Sequence, residues 1–251
     1  MAVIEARALA KSFRIPSDRR ETVREHLFNA FRPRSFERLD VLRSVSFDVR
    51  KGETLGIMGR NGSGKSTLLK ILCGIYRADR GDLLVGAPLT PILELGLGWN
   101  PELDGIDNIL LLGTAMGLRL REAKNAVDEI LAFAGLDRFA NVPLKHYSSG
   151  MASRLAYSVA FKTVREVLVL DEIFAVGDAE FRERCEARYR ELSAKGHTVV
   201  LVSHDPRVIS AFCSRALLLD EGRVAFEGRG GEVVDEYSRR VAMASPGPAL
   251  A

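Results

Sequence analysis

From about Val45 onward, short apolar runs alternate with stretches whose apolar residues recur at helical spacing. Val45–Val49 (VSFDV) alternates with period two and predicts a strand, as Val3–Leu9 does near the N-terminus. Thr54–Gly59 (TLGIMG) is an apolar run closing on glycine, which predicts a buried strand feeding a loop. Across Leu120–Leu136, Ala123, Val127, Ile130, Leu131 and Ala134 fall on one helical face. Val167–Leu170 and Thr198–Ser203 are again short apolar runs and predict two more buried strands. Asp205-Pro206 places an N-cap before a proline at the first helical position. The run LLLDEGRVAFEG predicts a hairpin turning at Glu221-Gly222, and the last residues, ASPGPALA, predict a loose tail. Strands and helices in alternation define an α/β chain.

One segment interrupts this rhythm. Ile15–Asp40 carries Arg19, Arg20, Arg24, Arg32, Arg34 and Arg38, with Val23, Leu27, Phe28 and Phe31 on one helical face. It is expected to be a basic helical insertion. Either it packs on its own domain, or it docks on a membrane partner or anionic headgroups.

Composition narrows the class. The 251 residues suffice for one large domain or two small ones. The 47% hydrophobic content supports a sizeable core, and a net charge of +3 gives no global signal for nucleic acid. Cys73, Cys185 and Cys213 lack metal-ligand spacing and are expected as free, packed thiols of a reducing compartment. The N-terminus lacks the order of a signal peptide. The longest apolar stretch, Ile109–Leu118, is too short to span a bilayer. A cytoplasmic chain is expected; if it works at a membrane, a partner must supply the spanning part.

The chemistry lies in ordered motifs. GRNGSGKST, Gly59 to Thr67, fits G-x-x-x-x-G-K-[ST] between a predicted strand and a predicted helix. Its glycines (Gly59, Gly62, Gly64), with Asn61 and Ser63, let backbone N–H groups turn inward around phosphates, at the positive end of the helix. Lys65 is placed to reach the β- and γ-phosphates, and Ser66, followed by Thr67, to offer a hydroxyl to Mg²⁺. The VLVLDE strand then ends on Asp171, suited to hold Mg²⁺ through water, and Glu172, suited to polarise the attacking water. His204 follows another apolar strand and can donate to the γ-phosphate or hold the water. His26, His146 and His197 lack such a setting.

The ordered set GRNGSGKST, YSSGM, VLVLDE, AVGD and VSHD resembles the nucleotide-binding subunit of an ABC transporter over about residues 1–240. The resemblance implies a P-loop NTPase fold with a RecA-like core, an antiparallel β subdomain and an α-helical subdomain near residues 100–160 that carries the signature. Residues 241–251 are left as a flexible tail. It also implies ATP and Mg²⁺ as cofactors. Tyr147-Ser148-Ser149-Gly150-Met151 stands where the family usually has Leu-Ser-Gly-Gly-Gln. By resemblance, Ser148, Ser149 and Gly150 cap the γ-phosphate of ATP bound to a second subunit, with Ser149 bringing a Cβ to a close approach. Phe13 matches the aromatic that stacks on adenine, and Asp178 matches the loop linking the two sites of the dimer.

YSSGMASRLAYSVAF, DEIFAVGDAEF and LELGLGWNPELDG together resemble exporters of O-antigen, capsule and teichoic acid. Glu94 stands where related transporters place a metal-touching glutamine. The chain ends before the sugar-binding domain some members carry, and so resembles the shorter subunits. The resemblance implies a homodimer, a separate transmembrane permease and a lipid-linked polysaccharide substrate, with no nucleic-acid partner. It places the chain on the cytoplasmic face of the inner membrane. Three alternatives stay open: the same ATPase with a drug or lipid cargo, a soluble ABC ATPase, and a nucleotide-binding scaffold without hydrolysis.

Overall fold

A computed structural model describes residues 1–16, 36–93, 98–171 and 178–244. Two long strands open the chain. β1 (Ala2–Pro16) and β2 (Phe36–Arg50) pair antiparallel from Ala2↔Arg50 to Pro16↔Phe36. β3 (Thr54–Met58) leaves for a second sheet. β4 (Arg80–Val85) returns to the free edge of β1 and completes a three-stranded sheet, β2-β1-β4.

The second sheet has six strands in the order β5-β6-β7-β3-β8-β9. β5 (Leu89–Ile92), β6 (Val167–Asp171), β7 (Thr198–Val202), β3 and β8 (Arg215–Asp220) run parallel. β9 (Arg223–Gly228) closes the edge as an antiparallel hairpin with β8. A strand buried on both faces needs apolar residues throughout, and VLVL and TVVLV supply them. Their alternation divides the core. Val167 and Val169 join Ile4, Leu9, Val45, Leu55, Ile57 and Leu68 in one cluster. Leu168 and Leu170 join Phe161, Phe181, Tyr189, Ile209 and Val233 in the other.

Helices cover both faces. α1 (Lys65–Leu72) follows β3. α2 (Gly105–Ala115), α3 (Leu120–Ala134) and α4 (Ser149–Lys162) share a third cluster around Ile109, Ile130, Leu131, Leu155 and Val159. Helical residues expected between about 100 and 160 are therefore present and packed on one another. The far end of α4 turns its Tyr157, Ala160 and Phe161 into the sheet's core, joining the helical cluster to it. α5 (Ala179–Ala194), α6 (Pro206–Phe212) and α7 (Gly230–Ala244) pack behind the parallel strands. Asp205 caps α6 by accepting the Arg207 N–H, with Pro206 at the first position. Cys185 and Cys213 are buried and Cys73 is half-buried; burial pushes each thiol up to about 12.

Two boundaries need correction. The segment 15–40 was expected to be helical, yet Ile15, Pro16 and Phe36–Asp40 are strand. The β1–β2 ladder continues outward, with Ile15 opposite Glu37, and Arg38 and Asp40 pair at the i, i+2 spacing of one strand face. The face Val23, Leu27, Phe28 and Phe31 lies outside the described residues. The tail expected from 241 begins later, because α7 runs through Ala244. Val233 is buried, and Val234 and Tyr237 pack beside it, which holds this helix on the core.

Arg215 fastens the sheets together. From β8 it donates to the Asp48 carbonyl at 2.6 Å and to Glu53 at 2.7 Å, and also pairs with Glu227. Its side chain is 16% exposed and that of Glu53 is 13% exposed. Removing the cation strands a carboxylate with little water around it. Arg215→Ala is expected to lower stability by about 3 kcal/mol in urea unfolding; a change within error would remove this clamp.

Candidate functional site

The loop after β3 is shaped by contacts that leave no room for side chains. A Cβ on Gly59 would lie 2.2 Å from the Leu219 carbonyl oxygen. Gly64 has φ +105°, and a Cβ there would lie 2.9 Å from the Val41 carbonyl oxygen. Gly62 has φ +82° with open space around it. Such angles favour glycine. Gly64 then caps α1, so the unpaired N–H groups of the first turn face the loop's concavity.

A cavity of about 650 Å³ opens there. Asn61, Gly62, Gly64, Lys65, Ser66 and Thr67 line it from the loop, Leu39 and Val41 from β2, and Asp171 from the end of β6. The buried Lys65 Nζ donates to the carbonyls of Gly59 (2.8 Å) and Arg60 (3.0 Å). Ser63 Oγ is buried and has no hydrogen-bond partner among the described residues. A buried hydroxyl left unpaired is costly, and an oligophosphate offers the acceptors it lacks. Among the described residues no group of three or more His, Cys, Asp and Glu side chains could hold a metal. One hydroxyl and one carboxylate suit Mg²⁺, which keeps several waters and shares phosphate oxygens.

The sheet brings together what the sequence separates. β6, β7 and β3 are neighbours and parallel, so Asp171, His204 and the phosphate loop stand at their C-terminal ends. His204 is exposed and directly follows buried Ser203, whose Oγ accepts the Asp205 N–H at 3.0 Å. Glu172 and Glu94 lie outside the described residues.

Other expected residues stand apart. Ser148, Ser149 and Gly150 are exposed at the start of α4 and do not line the cavity. Ser148 caps that helix, its Oγ accepting the Met151 N–H at 3.2 Å. Among the described residues a Cβ on Gly150 would meet nothing nearer than Ser148 Oγ at 3.9 Å. Asp178 caps α5 through the Phe181 N–H at 2.9 Å and faces Arg154 of α4 at 3.6 Å. Phe13 stands opposite Leu39 in the β1–β2 ladder, but it is not among the described residues lining the cavity. Its ring meets Tyr76 edge-on, with Lys11 Nζ 5.6 Å from its centroid.

Two positioning residues escaped the sequence reading. Gly222 ties the hairpin turn to the site: its N–H donates to the Ser63 carbonyl (3.1 Å), and its own carbonyl accepts the Arg43 N–H (2.7 Å). Its φ is +75°, and a Cβ would lie 2.3 Å from the Val41 carbonyl oxygen. The turn dipeptide was visible in the sequence; its seat against the loop was not. Asn108, fully buried, accepts from the Asn100 N–H and donates to the Asn100, Leu103 and Asp104 carbonyls, fixing the turn before α2. No periodicity marks such a residue.

A phosphate-binding loop at a helix N-terminus, facing a strand-end carboxylate in a parallel sheet flanked by an antiparallel sheet, defines a P-loop ATPase of the cassette type. Residues 42–175 match the ABC transporter family, and the chain belongs to that family. It is 38% identical to the O-antigen export system ATP-binding protein RfbB of Myxococcus xanthus over 97% of this chain and 57% of that protein. It is 35% identical to the protein of the same name from Klebsiella pneumoniae, over 80% of this chain and 82% of that one. Among solved structures, a dimeric ATP-binding cassette in a post-hydrolysis state with ADP and Pi superposes with a TM-score of 0.72 at 22% identity. The superposition covers 90% of this chain and 98% of that one, a likeness of fold. The substrate nucleotide of the family is ATP.

Gly222→Ala is expected to push the turn off Val41 at a cost of about 1–3 kcal/mol. Borne by the nucleotide-ready loop, that cost weakens ATP binding by roughly tenfold, as read by fluorescent-nucleotide titration. Wild-type affinity would separate the turn from the site. Lys65→Ala is expected to weaken ATP in the same titration, and unchanged affinity would remove Lys65 from the phosphates.

Proposed function

We propose that this chain is the ATP-hydrolysing subunit of an exporter that moves a lipid-linked surface polysaccharide of the O-antigen class across the cytoplasmic membrane. The observation that carries the chemistry is the cavity in which Lys65, Ser66 and Asp171 meet beneath the first turn of α1. The cargo rests on the two relatives named for O-antigen export.

In this reading the loop N–H groups, Ser63 and Lys65 hold the β- and γ-phosphates, and Ser66 and Asp171 hold Mg²⁺. Bound Mg²⁺ neutralises phosphate charge during transfer. Glu172 orients the attacking water and accepts its proton, and His204 holds the γ-phosphate side. Val41 and Leu39 form the apolar wall for the base, with Phe13 beyond them. Glu94 serves the metal or the docking loop.

The signature supports a two-copy site. Among the described residues nothing demands a glycine at 150, because none crowds the place of a Cβ there. A glycine is useful there if a second copy's phosphates approach the backbone, with Ser148, Ser149 and the N-terminus of α4 supplying donors. Two copies then enclose two ATP molecules, with Asp178 near the junction. Among the described residues no helix is long and apolar enough to cross a membrane. A separate permease supplies the spanning part, and this subunit sits on its cytoplasmic face.

Glu172→Gln is expected to keep ATP affinity, abolish steady-state phosphate release and accumulate an ATP-stabilised dimer on size exclusion. Rapid turnover in that variant would take Glu172 out of its role. Expression with its neighbouring genes tests the cargo. Recovery from detergent extracts with a multi-spanning subunit encoded beside glycosyltransferases is expected; recovery with ribosomes or DNA-repair proteins would overturn the transport reading.

A further inference from the structure

A second cavity, of about 700 Å³, lies on the antiparallel sheet. Lys11, Arg38, Arg43, Arg80 and Arg223 line it, with Asp40 and Asp79 as its carboxylates. These charges leave a net +3, equal to the formal net charge of the whole chain. Elsewhere, therefore, the chain's charges balance, and its cationic excess is matched by this one concavity.

Both carboxylates are already engaged. Asp79 accepts from Lys11 at 2.8 Å and from the Ser12 N–H and Oγ at 2.7 and 2.9 Å, contacts that hold its pKa down to about 2. Asp40 accepts from Arg38 at 2.8 Å. Arg43, Arg80 and Arg223 have no carboxylate partner among the described residues. They come from three different strands: the middle of β2, the start of β4 and the start of β9.

The backbone is bent to make the concavity. Ala8 (φ +50°), Ser44 (φ +66°) and Gly81 (φ +84°) lie one on each strand of the sheet, and all three line the groove. Left-handed angles at Ala and Ser are strained. The Ser46 hydroxyl holds the Ala8 bend by accepting its N–H at 2.8 Å. A Cβ at Gly81 would lie 2.4 Å from the Ala8 carbonyl oxygen, so the two bends are fitted to each other. A concave surface of one sign focuses its field. Three guanidiniums with no carboxylate offer planar forks that match phosphate oxygens.

We propose that this groove is a second anion site, separate from the nucleotide cavity, that binds a phosphate-bearing ligand through Arg43, Arg80 and Arg223. The ligand is either a soluble oligophosphate or a phosphate headgroup at a membrane surface. The site flanks the phosphate loop's support, because Arg43 and Arg223 adjoin the Gly222 turn.

The test uses full-length protein carrying Lys65→Ala, in which the phosphate loop competes poorly for the probe. Tripolyphosphate is titrated by calorimetry at low ionic strength, with and without the added substitutions Arg80→Gln and Arg223→Gln. Both residues are exposed, and circular dichroism checks that the fold is kept. Binding that weakens by roughly tenfold or more on substitution, and that falls with added salt, supports a soluble ligand. Sedimentation with phosphatidylcholine vesicles, with and without phosphatidylglycerol, tests the other source. Binding that needs phosphatidylglycerol and is lost in the substituted protein, with tripolyphosphate inert, supports a headgroup ligand. Tripolyphosphate and vesicle binding that are both absent, or both unchanged by the two substitutions, would overturn the site.

Discussion

The structure depends on backbone meeting backbone around the phosphate loop. Gly59 lies against the Leu219 carbonyl of β8, Gly64 against Val41 of β2, and Gly222 against the same Val41 from the hairpin turn. None of these contacts leaves space for a Cβ. They bring three segments, far apart in sequence, to one point, and hydrogen bonds from Gly222 to Ser63 and from Arg43 to Gly222 lock it. A loop that must present N–H groups inward needs its carbonyls satisfied from outside. The β8–β9 turn does this for Ser63, while the antiparallel sheet reaches the same cavity through Leu39 and Val41 of β2.

The parallel sheet supplies the second half of the design. Each buried strand can carry charge only where it leaves the sheet, and parallel strands leave it on one side. Asp171 and His204 therefore gather beside the loop although about 100 and 140 residues of chain separate them from it. The same strands divide their side chains between two cores, which fixes the register: a one-residue slip would exchange every Val and Leu between them.

The helical cluster is joined to this core through α4. Its start exposes Ser148 to Gly150, and its end is buried against the sheet. Asp178, capping α5 and facing Arg154, links α4 to the start of α5.

The buried strands were legible from their apolar runs, as were α3 from its periodicity, the start of α6 from Asp205-Pro206, and the hairpin from Glu221-Gly222. The phosphate loop and its order with the later motifs gave the family. α5 was missed because charged residues outnumber the apolar ones, although Phe181, Cys185, Tyr189 and Leu192 keep helical spacing and are buried. The β1 and β2 extensions were missed because a run of arginines masks the pattern of two exposed strand ends. Local pattern thus marked β3, β6, β7, the β8–β9 hairpin, α3 and a candidate phosphate loop, because periodicity and chain stiffness act over a few residues. Only the tertiary structure decided that Gly222 supports the loop, that Phe13 packs on Tyr76, and that five cations share one groove. Those facts depend on contacts between distant segments, and no short stretch of sequence encodes the distance between two others.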